Sequence, residues 1–201
     1  MTIQDLVQVL IILSLMSIVR RIFHRQVLLS TTVELMSVTV RAMESRDFMA
    51  LKEIYNQVID ERVATFNTEH IDVDGIAGWT KSGLILVAVS GRDVLGFVRS
   101  FPYRTRPCYE GVAQFSIYVR ESARGLGVGD LLMSAFIQAL VADGKWKVLS
   151  RVFVENDASL RLLAKHGFRE VGIYRRHARL DGVWRDGVIV ERLLGPAEED
   201  E

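Results

Sequence analysis

Arg124-Gly125-Leu126-Gly127-Val128-Gly129 is the stretch that decides how this chain folds. An alternating segment precedes it, with Phe115, Ile117 and Val119 set against Ser116, Tyr118 and Arg120. A run free of helix breakers follows, Leu131-Leu132-Met133-Ser134-Ala135-Phe136-Ile137. Strand, glycine-rich turn and helix, in that order, bring main-chain N–H groups and the positive end of a helix to one point, an arrangement suited to a phosphate. Glycine lets the backbone come close to the anion and take torsions that other residues avoid. The run lacks the Lys-Ser/Thr ending of a nucleotide-triphosphate loop. It also lacks the three-glycine spacing and downstream acid of a dinucleotide fingerprint.

The totals narrow the remaining classes. The chain has 201 residues, about half of them apolar, enough for one domain with a substantial core. Lys plus Arg and Asp plus Glu number 25 each, so no net field draws nucleic acid. Cys108 is the sole cysteine, which excludes an intrachain disulfide and a cysteine metal cage. His24, His70, His166 and His177 show no metal-ligand spacing, and no metal is expected. A reducing compartment, the cytoplasm, fits these counts. From Leu6 to Val19, eleven of fourteen residues are apolar, stopped by Arg20-Arg21. That is shorter than the roughly 18 residues of a membrane span, and Asp5 stands where a signal peptide would be basic. Residues 1–35 read as an apolar extension: a start upstream of the functional one at Met36, or a loosely packed helix, in preference to a membrane anchor.

Beyond Met36, strand and helix periods alternate. Val38, Val40 and Ala42 form a strand pattern, and Phe48, Leu51, Ile54, Tyr55, Val58 and Ile59 mark one helix face. A short helix is expected from Asp72 to Trp79, strands over 84–90 and 94–100, and a strand over 112–120 leading to the glycine loop. The loop's helix should reach Ala142, followed by a strand over 148–154 and a helix over 158–165. Segments 168–180 and 188–194 should close the domain as a hairpin about Asp181-Gly182. The fold class is α+β, a mixed sheet with helices on both faces, spanning 36–195 ahead of an acidic tail at 196–201.

The spacing Arg124-x-x-Gly127-x-Gly129 resembles the acetyl-CoA pyrophosphate loop of GNAT-type N-acetyltransferases, and Asn156-Asp157-Ala158-Ser159 through Gly167-Phe168 resembles their second cofactor motif. The resemblance implies a mostly antiparallel sheet splayed between its fourth and fifth strands, with acetyl-CoA as cosubstrate. Ile117, Tyr118 and Val119 would pair with the pantetheine arm, and an N–H near Ile117 would face the thioester oxygen. The amides of Arg124, Gly125, Leu126, Gly127, Val128 and Gly129 would take the pyrophosphate, and Asn156 would bond the arm. Within that family the chain is most similar to phosphinothricin and methionine sulfoximine acetyltransferases. The likeness covers Gly96 to about Leu194, with Ala64-Thr65-Phe66-Asn67, Pro102-Tyr103-Arg104-Thr105-Arg106, Tyr109 and Gly182-Val183-Trp184-Arg185-Asp186 as its pieces. It implies that Phe66, Arg106 and Tyr109 contact a small amine substrate, and it makes a homodimer an expectation.

Two departures stand out. The usual glutamate before the loop is Gln114 here, and a Tyr or His on the last helix is replaced by Leu163. A neutral amide cannot serve as base near pH 7, so water, with Glu110 nearby, is expected to carry the proton. The expected activity is acetylation of the α-amino group of a small amino acid or toxic analogue by direct attack in a ternary complex. Peptide N-terminal acetylation and a non-catalytic acetyl-CoA-binding module are the alternatives.

Overall fold

The computed structural model describes residues 38–198. The apolar stretch at 6–19, Met36 and the last residues of the acidic tail lie outside the described residues. Seven strands form one sheet: β1 (Val38–Ala42), β2 (Ile85–Ser90), β3 (Asp93–Pro102), β4 (Val112–Val119), β5 (Lys147–Phe153), β6 (Arg169–Leu180) and β7 (Val183–Leu193). Their order is β1-β2-β3-β4-β5-β7-β6. Among the described residues four α-helices accompany them: α1 (Phe48–Glu61), α2 (Val73–Gly78), α3 (Val128–Ala142) and α4 (Asp157–Lys165). The pairs β2–β3, β3–β4, β5–β7 and β6–β7 are antiparallel, and β4–β5 is parallel. This is the mixed, mostly antiparallel sheet that the resemblance implies, with its fourth and fifth strands parallel.

Side-chain alternation along β4 builds two cores. Tyr118 turns to one face, where its ring meets Tyr55 of α1 at 5.2 Å and Phe97 of β3 at 5.3 Å. Phe115 turns to the other, packing on Phe136 of α3 at 5.6 Å and on Phe168 at 5.3 Å. Leu51, Ile54, Val58 and Ile59 recur at helical spacing on α1 and are all buried. Asp72 caps α2, its carboxylate accepting from the Gly75 amide at 2.8 Å, as Ser/Thr/Asp/Asn residues do at helix starts.

β4 and β5 run together for only three residue pairs, Val112↔Lys147, Ala113↔Val148 and Gln114↔Leu149. Ser150 Oγ then donates to the Phe115 carbonyl at 2.9 Å, and beyond that stitch the strands diverge. The sheet therefore has an interior edge over the last part of β4.

The closing hairpin is longer than its sequence pattern suggests. β7 begins at Val183, because Asp181 and Gly182, both at positive φ, turn the chain at once, as two-residue hairpin loops require. The register slips between Tyr174↔Gly187 and Ala178↔Arg185, leaving a bulge at 175–177. Arg176 adopts φ 49° there, and its amide donates to Asp186 Oδ1 at 2.7 Å. Charge ties this hairpin inward: Glu191 of β7 is buried and paired with Lys147 on β5 and Arg169 on β6. Arg62, at the left-handed C-terminus of α1, holds Asp181 at 2.8 Å.

Asp47, buried at the start of α1, receives both Arg41 nitrogens (2.7 and 2.8 Å) and the Glu44 amide (2.8 Å). The Arg41 hydrogen bonds hold its carboxyl below the ordinary carboxylate range. A depressed folded-state pKa gives stability that is present above the unfolded value of about 3.9 and is lost as pH falls through the folded value. Asp47→Asn should lower unfolding stability by about 2 kcal/mol at pH 7, the scale of a charge-assisted hydrogen bond. In urea titrations the gap from wild type should narrow below about pH 4; a gap that stays constant with pH would contradict this.

Candidate active site

The interior edge of β4 supplies main chain. Arg120 N donates to Leu95 O on β3 at 2.8 Å. By antiparallel alternation, Tyr118 and Ser116 also spend their peptide groups on β3, whereas Phe115, Ile117 and Val119 turn theirs to the gap. Ser150 covers the Phe115 carbonyl, and Arg124 Nε donates to the Val119 carbonyl at 3.1 Å. The peptide groups of Ile117 stand in the opening with no strand opposite.

At the top of β4 the glycine loop opens into α3. Gly125 and Gly127 sit at φ 72° and 84°, with open space around each Cα. The Arg124 amide is bonded to Glu121 O at 3.1 Å, so it does not join the cradle. The amides of Gly125, Leu126 and Gly127 have no acceptor among the described residues, and those of Val128 and Gly129 lie in the first turn of α3, where helices lack internal acceptors. Five successive amides at the positive end of a fifteen-residue helix make an anion site. Asp130 stands beside it. Its carboxylate accepts from Lys165 at 2.8 Å and His166 at 3.1 Å, and these bonds, Lys165 foremost, keep its pKa low and offset its charge.

These groups line a cleft of about 660 Å³ that runs from the loop to the β4 gap. Its far wall is Val58, Glu61, Val63 and Ala64, and its near wall is the start of α4. The Arg124 guanidinium folds across to Glu61 (2.8 and 2.9 Å), fastening the loop to α1. Asn156 lines the cleft while its carboxamide is already engaged, accepting from Ser159 N at 3.1 Å as the α4 cap and donating to Val63 O at 3.3 Å. Gly129 lies against Leu162, whose Cδ2 is 3.1 Å from where a Cβ would be, so a side chain there would crowd the junction of α3 and α4.

A second cavity of about 450 Å³ opens on the other side of the gap, and Ala64 and Tyr118 border both. Tyr55, Phe66, Trp79, Arg99, Gln114, Arg151, Phe153 and His177 contribute to its walls. Phe66 packs edge-on against Phe153 at 4.7 Å. Gln114 Oε1 accepts from Arg151 Nη2 at 2.6 Å. Tyr55 OH accepts from Asn67 Nδ2 at 2.7 Å, and burial pushes the Tyr118 phenol up, so Tyr118 stays protonated.

The residues expected from sequence divide accordingly. Ile117, Val119, Gly125, Gly127, Val128, Gly129 and Asn156 come together on the first cleft, and Phe66 and Gln114 on the second cavity; Leu126 is not among the cleft's lining residues. Tyr118 contributes its side chain but not its peptide group, and Arg124 contributes its side chain but not its amide. Arg106 and Tyr109 do not line either cavity. Arg106 is exposed before a short 3₁₀ turn, and Tyr109 packs on Tyr103 at 5.5 Å. Glu110 is exposed in the same connection, away from Gln114's cavity. Sequence reading passed over Arg99, Arg151 and His177. Arg99 carried a signal, a lone charge inside an otherwise buried strand run. His177 carried none; it is exposed and borders the cavity from the bulge of β6. Among the described residues no three His, Cys, Asp or Glu side chains are grouped to hold a metal ion, and no helix is long and apolar enough to cross a membrane.

Comparison with known proteins places these features in a lineage. Residues 51–168 match the acetyltransferase (GNAT) family. A phosphinothricin N-acetyltransferase of Streptomyces coelicolor is 32% identical over 78% of this chain and 96% of its own length. A methionine sulfoximine/methionine sulfone acetyltransferase of Pseudomonas paraeruginosa is 25% identical over 80% and 97%. A phosphinothricin acetyltransferase from Sinorhizobium meliloti, solved with acetyl-CoA, superposes with a TM-score of 0.75 over 82% of this chain and 92% of that one, at 24% identity. With more than half its length inside the family match, and with the splayed sheet and amide loop in place, the chain belongs to the GNAT family of acetyltransferases.

Proposed function

We propose that this chain transfers the acetyl group of acetyl-CoA to the α-amino group of a small amino acid or a toxic analogue of one, of the phosphinothricin or methionine sulfoximine kind. The observation that carries the reading is the pair of cavities meeting at the β4 gap, one lined by free amides and the other by aromatic and cationic side chains. A diphosphate fits the loop chemically: five unpaired amides, two glycines at positive φ and a helix dipole. Acetyl-CoA, when bound, supplies the acyl group as a thioester.

The chain's own contribution is positioning and charge stabilisation. The Ile117 peptide stands where an extended arm can add to β4 as a strand would, and its N–H can donate to oxygen that gains charge during transfer. Tyr118 and Ala64, shared by both cavities, set where donor and acceptor meet. Holding the two reactants in line can supply on the order of 7 kcal/mol of the barrier when the groups are well oriented. In this reading the amine attacks directly, without an acyl-enzyme: Cys108 is exposed in the 107–109 turn and is absent from both cavities. Gln114 orients rather than deprotonates, held by Arg151, and water takes the ammonium proton. The catalytic unit is 36–195, acting in the cytoplasm. A homodimer belongs to the reading as well, with the exposed Val171, Ile173 and Tyr174 of edge strand β6 as the surface available for it.

Release of free coenzyme A, followed with free amino acids, phosphinothricin, methionine sulfone and short peptides, tests the activity. Turnover with the amino-acid compounds is expected, and turnover confined to peptides would replace this substrate class. Gly127→Val puts a β-branched residue at φ 84°, where only glycine sits easily, and should weaken coenzyme A binding about tenfold or more in calorimetry. Unchanged affinity would remove the loop from the binding site. Gln114→Glu adds a carboxylate able to accept the ammonium proton. The rate should rise, and the acidic limb of its pH profile should move to lower pH because the Arg151 guanidinium favours the ionised form. No change in either would take this side chain off the proton path.

A further inference from the structure

Arg99 is a charge without an answer. It leaves β3 toward the second cavity, and its Nε is buried with no hydrogen-bond partner among the described residues. Its guanidinium lies 4.1 Å over the Trp79 ring and 5.2 Å from that of Phe101. Desolvation draws its pKa below the usual guanidinium range. Arg99 is half-buried, and taking a cation part-way out of water is costly unless an anion or several acceptors meet it; stacking on Trp79 compensates only in part. Every other ion pair near the site is internal: Arg124 with Glu61, Arg62 with Asp181, Arg185 with Glu155. Among the residues lining this cavity there is no carboxylate at all. Three basic side chains line it instead: Arg99 from β3, Arg151 from β5, and His177 from the bulge of β6. Tyr55 from α1 and Tyr118 from β4 are the remaining titratable groups on its walls. Arg151 gives one nitrogen to Gln114 and keeps further donors for a ligand.

We infer that Arg99 and Arg151 form a paired anion subsite for the acceptor, so that the amine acetylated by this chain carries an α-carboxylate held by Arg99 and a second acidic or oxo-acid group facing Arg151. The inference rests on the proposed acetyl transfer and deepens it, assigning acceptor selection to the cavity floor rather than to Arg106 in the exposed connection. A planar guanidinium held 4.1 Å over an indole offers its N–H groups as a fork for a carboxylate or phosphinate. Amines lacking an anion would leave that fork unpaired and the desolvation uncompensated, which is how a polar site rejects a neutral analogue.

The test uses three acceptors that share an amine: L-phosphinothricin with two acidic groups, L-methionine sulfone with one, and 3-(methylsulfonyl)propylamine with none. The wild-type kcat/KM should fall in that order. Arg99→Met should raise KM for the two amino acids about thirtyfold or more while leaving the decarboxylated amine within a few-fold, consistent with loss of a charge-assisted hydrogen bond. Arg151→Met should penalise phosphinothricin more than the sulfone. Arg106→Met should leave all three ratios as they were. Calorimetric coenzyme A affinity, measured on each variant, should match wild type and shows that the fold and donor cleft are intact; Arg99→Lys, which retains the charge without the fork, serves if the methionine variant does not fold, and should still raise KM for the amino acids. Arg99 variants that bind coenzyme A and keep the wild-type KM ratios would overturn the subsite, as would a wild-type preference for the decarboxylated amine. Failure of the wild type to bind coenzyme A would instead sink the acetyl-transfer reading itself.

Discussion

The whole site follows from two parallel strands that stop pairing. β4 and β5 are joined at their base, where Trp146 and Lys147 amides both donate to Gly111 O (3.0 and 3.2 Å), and again at the Ser150 hydroxyl. Past that point no ladder forms, yet both strands stay anchored on their outer sides, β4 by β3 and β5 by β7. Peptide groups left bare inside a sheet demand a partner. The Phe115, Phe136 and Phe168 rings fill the floor beneath the notch, and the Phe66–Phe153 contact lies to one side, so the divergence is built into packing.

How far the chain could be read beforehand depends on what kind of force set each part. The loop, the flanking strand and the helix were legible because glycine at positive φ and apolar periodicity are local properties, and the structure places Gly125 and Gly127 in that conformation. α1 likewise announced itself through Leu51, Ile54, Val58 and Ile59. The lining of the second cavity was less legible. Arg106 was expected at the substrate from the family resemblance and is exposed outside both cavities, whereas Arg99 reaches the second cavity through strand register, here Arg99↔Ser116. The early start of β7 was hidden by Asp186 and Gly187, which look like turn residues but serve the bulge opposite them. Amide commitments such as Arg124 N to Glu121 O are likewise tertiary facts that composition does not carry.

Electrostatics divides the two chambers. On the donor side, the acids are neutralised within the chain, Glu61 by Arg124 and Asp130 by Lys165 and His166, so the amides and helix end carry the attraction for an anion. In the second cavity, Arg99 and Arg151 have no carboxylate beside them among the lining residues. A neutral chain overall can thus attract anions at two adjoining places, and composition-level charge was no guide to either.

The bulge at 175–177 gives the molecule an asymmetry of a different sort. The bare peptide edge of β4 is a backbone feature, so side-chain replacement along β4 barely edits it. The wall of the second cavity lies partly in the turn of a peripheral ribbon, where inserting or deleting one residue would swing His177 away without unsettling either core. Descendants of this chain could therefore exchange one amine for another through small slips in that ribbon, while inheriting the acyl donor unchanged.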